Sequence, residues 1–262
     1  MSTAGLLAVE AGLVLGMVTV LWAISVALED TSIVDIFWGS GFVIVAWAAF
    51  ALGGGSRDRG LLLAALVTIW GLRLTVYLAR RNLGKGEDYR YAAMRRRQGD
   101  RWPLRSLFVV FWVQGGLMWV VSLPVQVAMN EPAPGGLGLP GWIGAAVWAL
   151  GFSFEAIGDA QLAAFKRDPA NRGKVMDRGL WRYTRHPNYF GDFCVWWGIW
   201  LIALPGGSAW WTVVGPLVMS TLLIRVSGAA LLERSLTKRR EGYADYIART
   251  SAFFPWPPRR NR

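Results

Sequence analysis

Long apolar runs, separated by short connections rich in glycine, proline or charge, organise this chain from end to end. They fall at about 5–28, 33–54, 61–79, 106–129, 141–165, 191–205 and 209–231. At ~1.5 Å of rise per residue, each is long enough, or nearly so, to cross a hydrocarbon core of about 30 Å. The pattern predicts an all-α integral membrane bundle of seven transmembrane helices, the sixth being the shortest. The stretches GGGSRDRG (53–60) and NEPAPGGLGLPG (130–141) read as turns, because glycine and proline punctuate helical runs. Neither follows a predicted strand, so neither is a dinucleotide-binding fingerprint. With no internal repeat, low-complexity tract or linker to divide it, the chain reads as a single domain over 1–262.

Composition and charge sharpen this reading. Of 262 residues, 54% are hydrophobic and 17% charged, against roughly 25% charged in soluble domains. The net charge of +11 raises the question of nucleic acid, and the placement of the basic residues answers it. Residues 80–105 hold nine Lys/Arg, 166–190 seven and 232–262 eight, together 24 of 28, whereas 130–140 and 205–209 hold none. Basic and neutral connections therefore alternate, as the positive-inside bias requires when the two large loops and the C-terminus are cytoplasmic. With seven spans the N-terminus then lies outside, and for a bacterial chain the membrane is the inner membrane. The basic loops predict contact with anionic membrane lipid and no nucleic-acid partner. Arg57 and Arg59, on the outer side in this scheme, and Glu29 and Asp30, on the inner side, run against the bias. No basic segment precedes the first run and no cleavage pattern follows it, so it is expected to stay as a span. Cys194, the one cysteine, lies inside a run and leaves no intrachain disulfide and no cysteine-cluster metal site.

Charges inside the apolar runs point toward chemistry. Glu10, Asp35, Arg73, Glu155, Asp159, Asp192, Arg225 and Glu233 lie within or at the ends of these runs. At mid-membrane depth each charge costs roughly 2.5–3.5 kcal/mol. Glu10, near the outer end, is expected to snorkel or face solvent. Glu155 and Asp159 are four apart and share a helix face, as do Arg73 and Tyr77; Arg225 and Glu233, eight apart, share another. These residues read either as an interhelical network or as the lining of a polar cavity open to the cytoplasm, and the convergence of so many at one depth favours the cavity. Lys166, Lys174 and Arg185 beside it suit the phosphates of an anionic cofactor. No HExxH, no CxxC and no carboxylate cluster with metal spacing occurs, and His186 is the single histidine, so no metal is expected. The absence of G-x-S-x-G argues against a serine hydrolase.

The segments GLWRYTRHPNYFGDF (179–193) and LLIRVSGAALLERSLTKRREGYADYIARTSAFFPW (222–256) resemble the C-terminal half shared by three membrane enzyme groups. These are the steroid 5α-reductases, the sterol reductases and the isoprenylcysteine carboxyl methyltransferases. DTSIVDIFWGSGFV (30–43) and WGLRLTVYLARRNLGKGEDYRYAAMR (70–95) are similar to the bacterial branch of the steroid 5α-reductase-like family, so the resemblance spans most of the chain. It implies an NADPH-dependent oxidoreductase acting on a CH–CH bond. NADPH in a cytoplasm-facing cavity would give a hydride to the β-carbon of a lipophilic enone such as a 3-oxo-Δ4 steroid, while an acidic pair polarises the ketone. The substrate would enter from the bilayer and the protein would act as a monomer. The first rival is an S-adenosylmethionine-dependent membrane methyltransferase, because the RHPNY half serves both chemistries. The second is a transporter or seven-span receptor, for which intramembrane acids suit proton coupling.

Carried over by position, the resemblance makes Asp35 the acid of the second span. Set among Ile33, Val34, Ile36 and Phe37, its carboxyl is expected to stay protonated and to donate to the substrate carbonyl. The family's partner tyrosine falls at Trp70, whose indole donates a hydrogen bond but delivers no proton. Either Trp70 orients the carbonyl while water or Asp35 supplies the proton, or Tyr89 or Tyr91 of EDYRY reaches in. For the cofactor the resemblance implies Asp159 at the nucleotide end, Lys166 and Lys174 at phosphates, and Asn188 near the nicotinamide or its ribose. Asp192, Arg225 and Glu233 line the same cavity, and Arg73, Tyr77 and Arg185 are placed with them. The family's histidine and tyrosine after the arginine are here Ala229 and Glu233. Pro187 is tolerated in a first helical turn, so RHPNY is expected to open the sixth span with its N–H groups toward an anion. His186 there either bonds phosphate or caps the helix.

Overall fold

The computed structural model of the chain describes residues 1–133, 136–226 and 242–259. Among them the fold is helical, and an isolated parallel bridge between Thr184 and Ser251 stands in place of any sheet. The helices are α1 (Thr3–Ala27), α2 (Ile33–Leu52), α3 (Arg57–Asn82), α4 (Tyr89–Gln98), α5 (Trp102–Ser106), α6 (Val113–Val121), α7 (Leu123–Ala128), α8 (Gly138–Arg167), α9 (Pro187–Ala203), α10 (Val214–Thr221) and α11 (Tyr243–Arg249). π-helical turns at Leu107–Trp112 and Leu222–Val226 precede α6 and follow α10.

Five stretches are long and apolar enough to cross a membrane: Thr3–Ala27, Ile33–Leu52, Arg57–Asn82, Tyr89–Val121 and Gly138–Arg167. The protein is therefore an integral membrane protein whose apolar helices meet lipid. The sixth predicted run forms the 17-residue α9, and the seventh is represented by the shorter apolar stretch Ala209–Arg225. The last residues of that run, and with them Ala229 and Glu233, lie outside the described residues.

The chain divides into two compact units, Met1–Gly138 with Ile202–Gly215, and Leu139–Leu201 with Pro216–Arg262. In the first unit, α2 and α3 meet at a glycine pair. A Cβ on Gly39 would lie 2.2 Å from the Gly71 carbonyl oxygen, and one on Gly71 would lie 2.5 Å from that of Gly39. Small residues of this kind let helix backbones touch where no hydrophobic effect drives them together. Beside them Ser40 and Thr75 share a hydroxyl hydrogen bond of 2.9 Å.

Arg59, one of the basic residues that run against the expected charge bias, is tied to backbone carbonyls. It is 2% exposed, and its guanidinium donates to the carbonyls of Ala128 (2.8 Å), Glu131 (2.7 Å) and Ala203 (3.3 Å). It caps the unpaired carbonyls that end α7, a position that favours a cation. Glu131, 6% exposed beside it, has its carboxyl pushed up by burial, opposed by the Arg59 charge and a Ser208 N–H. Glu10 corrects an expectation: its residue is 0% exposed and neither carboxyl oxygen is hydrogen-bonded among the described residues, so it neither snorkels nor faces solvent. The α1 face that carries it also carries the buried Leu6, Val14 and Val18, at helical spacing.

In the second unit α8 crosses α9 in the same manner. A Cβ on Gly151 would lie 2.5 Å from the Gly191 oxygen, and one on Gly191 would lie 2.5 Å from both the Glu155 nitrogen and the Gly151 oxygen. This contact sets the RHPNY end of α9 against the acidic turn of α8.

Candidate functional site

In the first unit the connections α1–α2 and α3–α4 are tied into one polar network. The Thr31 N–H donates to Glu87 Oε1 (2.9 Å), and the Asp88 N–H donates to Ser32 Oγ (3.3 Å). Arg95 grips Glu87 with two bonds, Nε at 2.9 Å and Nη2 at 2.8 Å. Trp102 Nε1 closes the ring on Thr31 Oγ1 at 3.1 Å. Burial would raise the Glu87 carboxyl, and the Arg95 and Thr31 bonds outweigh it, holding the group below its ordinary range. Asp88 behaves alike: burial is overcome by Arg90, and its side chain caps α4 by accepting the Arg90 N–H at 3.0 Å.

This frame delivers α4 to Asp35 in the first turn of α2. The Tyr91 hydroxyl donates to Asp35 Oδ1 at 2.8 Å, and Arg90 Nη2 donates to Asp35 Oδ2 at 2.6 Å. Gln114 of α6 completes the group, its Nε2 lying 3.3 Å from the Tyr91 oxygen and 3.5 Å from Asp35 Oδ1. Tyr91 is 6% exposed, whereas Tyr89 is 73% exposed and faces away. Of the alternatives for the partner of Asp35, the structure brings Tyr91 to it. The Asp35 carboxyl, expected among apolar neighbours, instead meets the Arg90 guanidinium, because α4 places that group one residue before Tyr91. Trp70 is fully buried with its ring edge-on to Phe42, centroids 5.6 Å apart. Phe42 lies seven residues, about 10 Å, along α2 from Asp35. Arg73 and Arg81 both stand over the Tyr77 ring of α3, at 5.9 and 5.8 Å from its centroid.

In the second unit the two motif segments are strapped together. The Arg185 N–H donates to the Ser251 carbonyl (2.9 Å), Thr184 Oγ1 to that of Phe253 (2.7 Å), and the Trp256 N–H to that of Tyr183 (2.9 Å). Helix α9 starts at Pro187, with the Phe190 N–H reaching the His186 carbonyl at 3.0 Å. His186, 4% exposed, stacks on Tyr189 at 5.4 Å. Asn188 Nδ2 donates to Asp159 Oδ1 at 3.2 Å, while Asn188 Oδ1 is cut off from solvent and accepts no hydrogen bond among the described residues. Glu155 and Asp159 are each 3% exposed, one helical turn apart on α8. Lys166, Lys174 and Arg225 are exposed, and Asp192 is half-buried. Glu233 lies outside the described residues.

Arg90 and Gln114 were not singled out from the sequence. Gln114 had a signal, being the one polar amide in the apolar stretch from Leu107 to Val121. The π turn just before it, a feature frequent at functional sites, had none.

A family model described as "Protein of unknown function (DUF1295)" matches residues 21–250. The chain is also similar to "Uncharacterized protein C594.04c" of Schizosaccharomyces pombe, at 27% identity over 280 residues, covering 93% of this chain and 78% of that protein. No solved structure matches the chain.

Proposed function

The chain belongs to the DUF1295 family, and we propose that it is an NADPH-dependent membrane reductase that saturates the carbon–carbon double bond of a lipophilic enone such as a 3-oxo-Δ4 steroid. The observation that carries this reading is the hydroxyl of Tyr91 held on Asp35 Oδ1 at 2.8 Å, beside Arg90 and Gln114. A phenol buried against a carboxylate is a proton donor in a fixed place, and a neighbouring guanidinium favours negative charge as an enolate oxygen develops. On this reading Asp35 holds the Tyr91 hydroxyl in place until substrate binds, the hydroxyl then turns its one proton from Asp35 Oδ1 to the substrate ketone, Arg90 balances Asp35, and Gln114 fixes the phenol oxygen. Trp70 serves packing at the depth of Phe42.

Bound NADPH would supply the hydride that reaches the β-carbon. The residues of the second unit fit such a group in one respect: Asn188 Oδ1 is a buried acceptor without a partner among the described residues, suited to a carboxamide N–H. Asp159 orients Asn188, and Lys166, Lys174 and Arg185 supply cationic donors for phosphates. The finer topology belongs to this reading: seven spans, the N-terminus outside, the basic loops and C-terminus cytoplasmic, in a bacterial inner membrane, with substrate entering laterally to a monomer. Thermal unfolding of the purified protein with NADPH, NADH and S-adenosylmethionine tests it. A ligand at a hundred times its dissociation constant adds about 2.7 kcal/mol, so NADPH is expected to raise the midpoint most, and a response to S-adenosylmethionine alone would overturn the reductase reading.

A further inference from the structure

The C-terminal part of the second unit forms a cavity of about 340 Å³, of whose lining the reductase reading uses only Arg185. Its polar lining is Arg185, Arg249, Thr250, Ser251 and Arg259, with Trp256 at one wall, and no acidic side chain lines it. The fold puts these groups there deliberately. Arg185 is held by its N–H on Ser251 and by Nη1 on the Ile247 carbonyl (3.0 Å), and Arg259 is pinned by its N–H on the Arg249 carbonyl (2.9 Å). Arg249 spends Nη2 on Asp177 at 2.6 Å, an acid outside the cavity lining, while its Nε is cut off from solvent and bonds nothing among the described residues.

A shielded donor without an acceptor costs free energy, and a cavity lined by three guanidiniums and no acid attracts an anion. Both features suit one kind of ligand. We propose that this cavity binds a phosphate group, its oxygens accepting from Arg249 Nε, Arg259 and the Thr250 and Ser251 hydroxyls. Guanidinium forks suit phosphate in geometry as well as charge. Trp256, 71% exposed at the cavity wall, is a residue type enriched at membrane–water boundaries. It favours the headgroup of an anionic phospholipid as the source of the phosphate.

The test uses the full chain in phosphatidylcholine nanodiscs, without NADPH or enone, and varies Arg249 and Arg259, which the reductase reading does not use, so that its failure and the failure of that reading are distinguishable. Melting is followed as phosphatidylglycerol replaces part of the phosphatidylcholine, and separately as inorganic phosphate replaces chloride at matched ionic strength. Arg259→Gln, on the exposed tail, and Arg249→Lys, which keeps a charge for Asp177, are measured alongside. A rise in melting temperature with phosphatidylglycerol, with the apparent affinity about tenfold weaker in each variant, assigns the site to lipid. A rise with inorganic phosphate alone, weakened equally in the variants, supports the site with a soluble source. No rise with either ligand, or a rise of the same size in both variants, overturns the proposal.

Discussion

The Asp35 group of the first unit and the Asn188 group of the second are built in opposite ways. Asp35 draws its partners from positions far away in the chain: Arg90 and Tyr91 on α4 and Gln114 on α6. Side chains hold it, through a network of carboxylates, guanidiniums and hydroxyls. Asn188 is held mainly by backbone, where α9 is pressed on α8 at Gly151 and Gly191 and its leading segment is strapped to residues 251–256. The difference teaches where each site is vulnerable. The first should lose chemistry when one side chain changes and keep its fold; the second should lose its fold when one glycine gains a side chain.

The largest expected effect is on the first side of this contrast. Tyr91→Phe removes the hydroxyl and leaves the ring, so enone reduction should fall by about 10²–10³ while the melting temperature moves little. A variant with wild-type turnover would take Tyr91 out of the chemistry. Next comes the packing arm: Gly191→Val places a Cβ where backbone already stands at 2.5 Å, and should destabilise by roughly 1–3 kcal/mol or more. Thermal unfolding and yield of purified protein check it, and unchanged melting would mean that α8 and α9 do not depend on close contact. Third, Asn188→Leu removes the buried acceptor and its bond to Asp159, and NADPH should bind about tenfold more weakly, measured by fluorescence titration.

The smallest effect separates the network from the rest by pH. Glu87 is held below its ordinary range, so its contribution is present above that range, near pH 4.5, and is lost as pH falls through the lowered value. Glu87→Gln should therefore cost about 1 kcal/mol at neutral pH, with the gap to wild type closing in acid. Glu131 has the opposite sign. Its raised carboxyl contributes fully below pH 4.5 and loses that contribution as pH rises through the raised value, so Glu131→Gln should stabilise at neutral pH and not in acid. Parallel pH–melting curves for the two variants check both signs.

Much of the local architecture could be read from residues close together in sequence. Apolar runs marked the long helices, and Pro187 marked the start of α9, because both signals act within a turn or two. What escaped was set by contacts between distant elements. The pairing of Asp35 with Tyr91 was one of several open alternatives, and Arg90 was not foreseen as an ion-pair partner, since 55 residues separate it from Asp35. Arg59 looked like a topology charge until the carbonyls at the end of α7 gave it a role. Glu10 looked like an outer-surface acid, and only the packing of α1 shows it enclosed. The glycine contacts had a visible trace: Gly144, Gly151 and Gly158 recur at seven-residue spacing, as do Gly191 and Gly198. Such spacing keeps small residues on one face of a helix.

The central claim is that Asp35 serves substrate chemistry through Tyr91, and one paired measurement tests it most directly. NADPH affinity and NADPH-dependent enone turnover are determined together for the wild type, Asp35→Asn and Asp35→Leu. Asn keeps an acceptor for the Tyr91 hydroxyl and should retain a measurable part of the turnover, whereas Leu keeps none and should lower it by about 10²–10³. NADPH affinity should be the same in all three. Turnover near the wild-type value in Asp35→Leu, or loss of NADPH binding in that variant with its fold intact, would contradict the account.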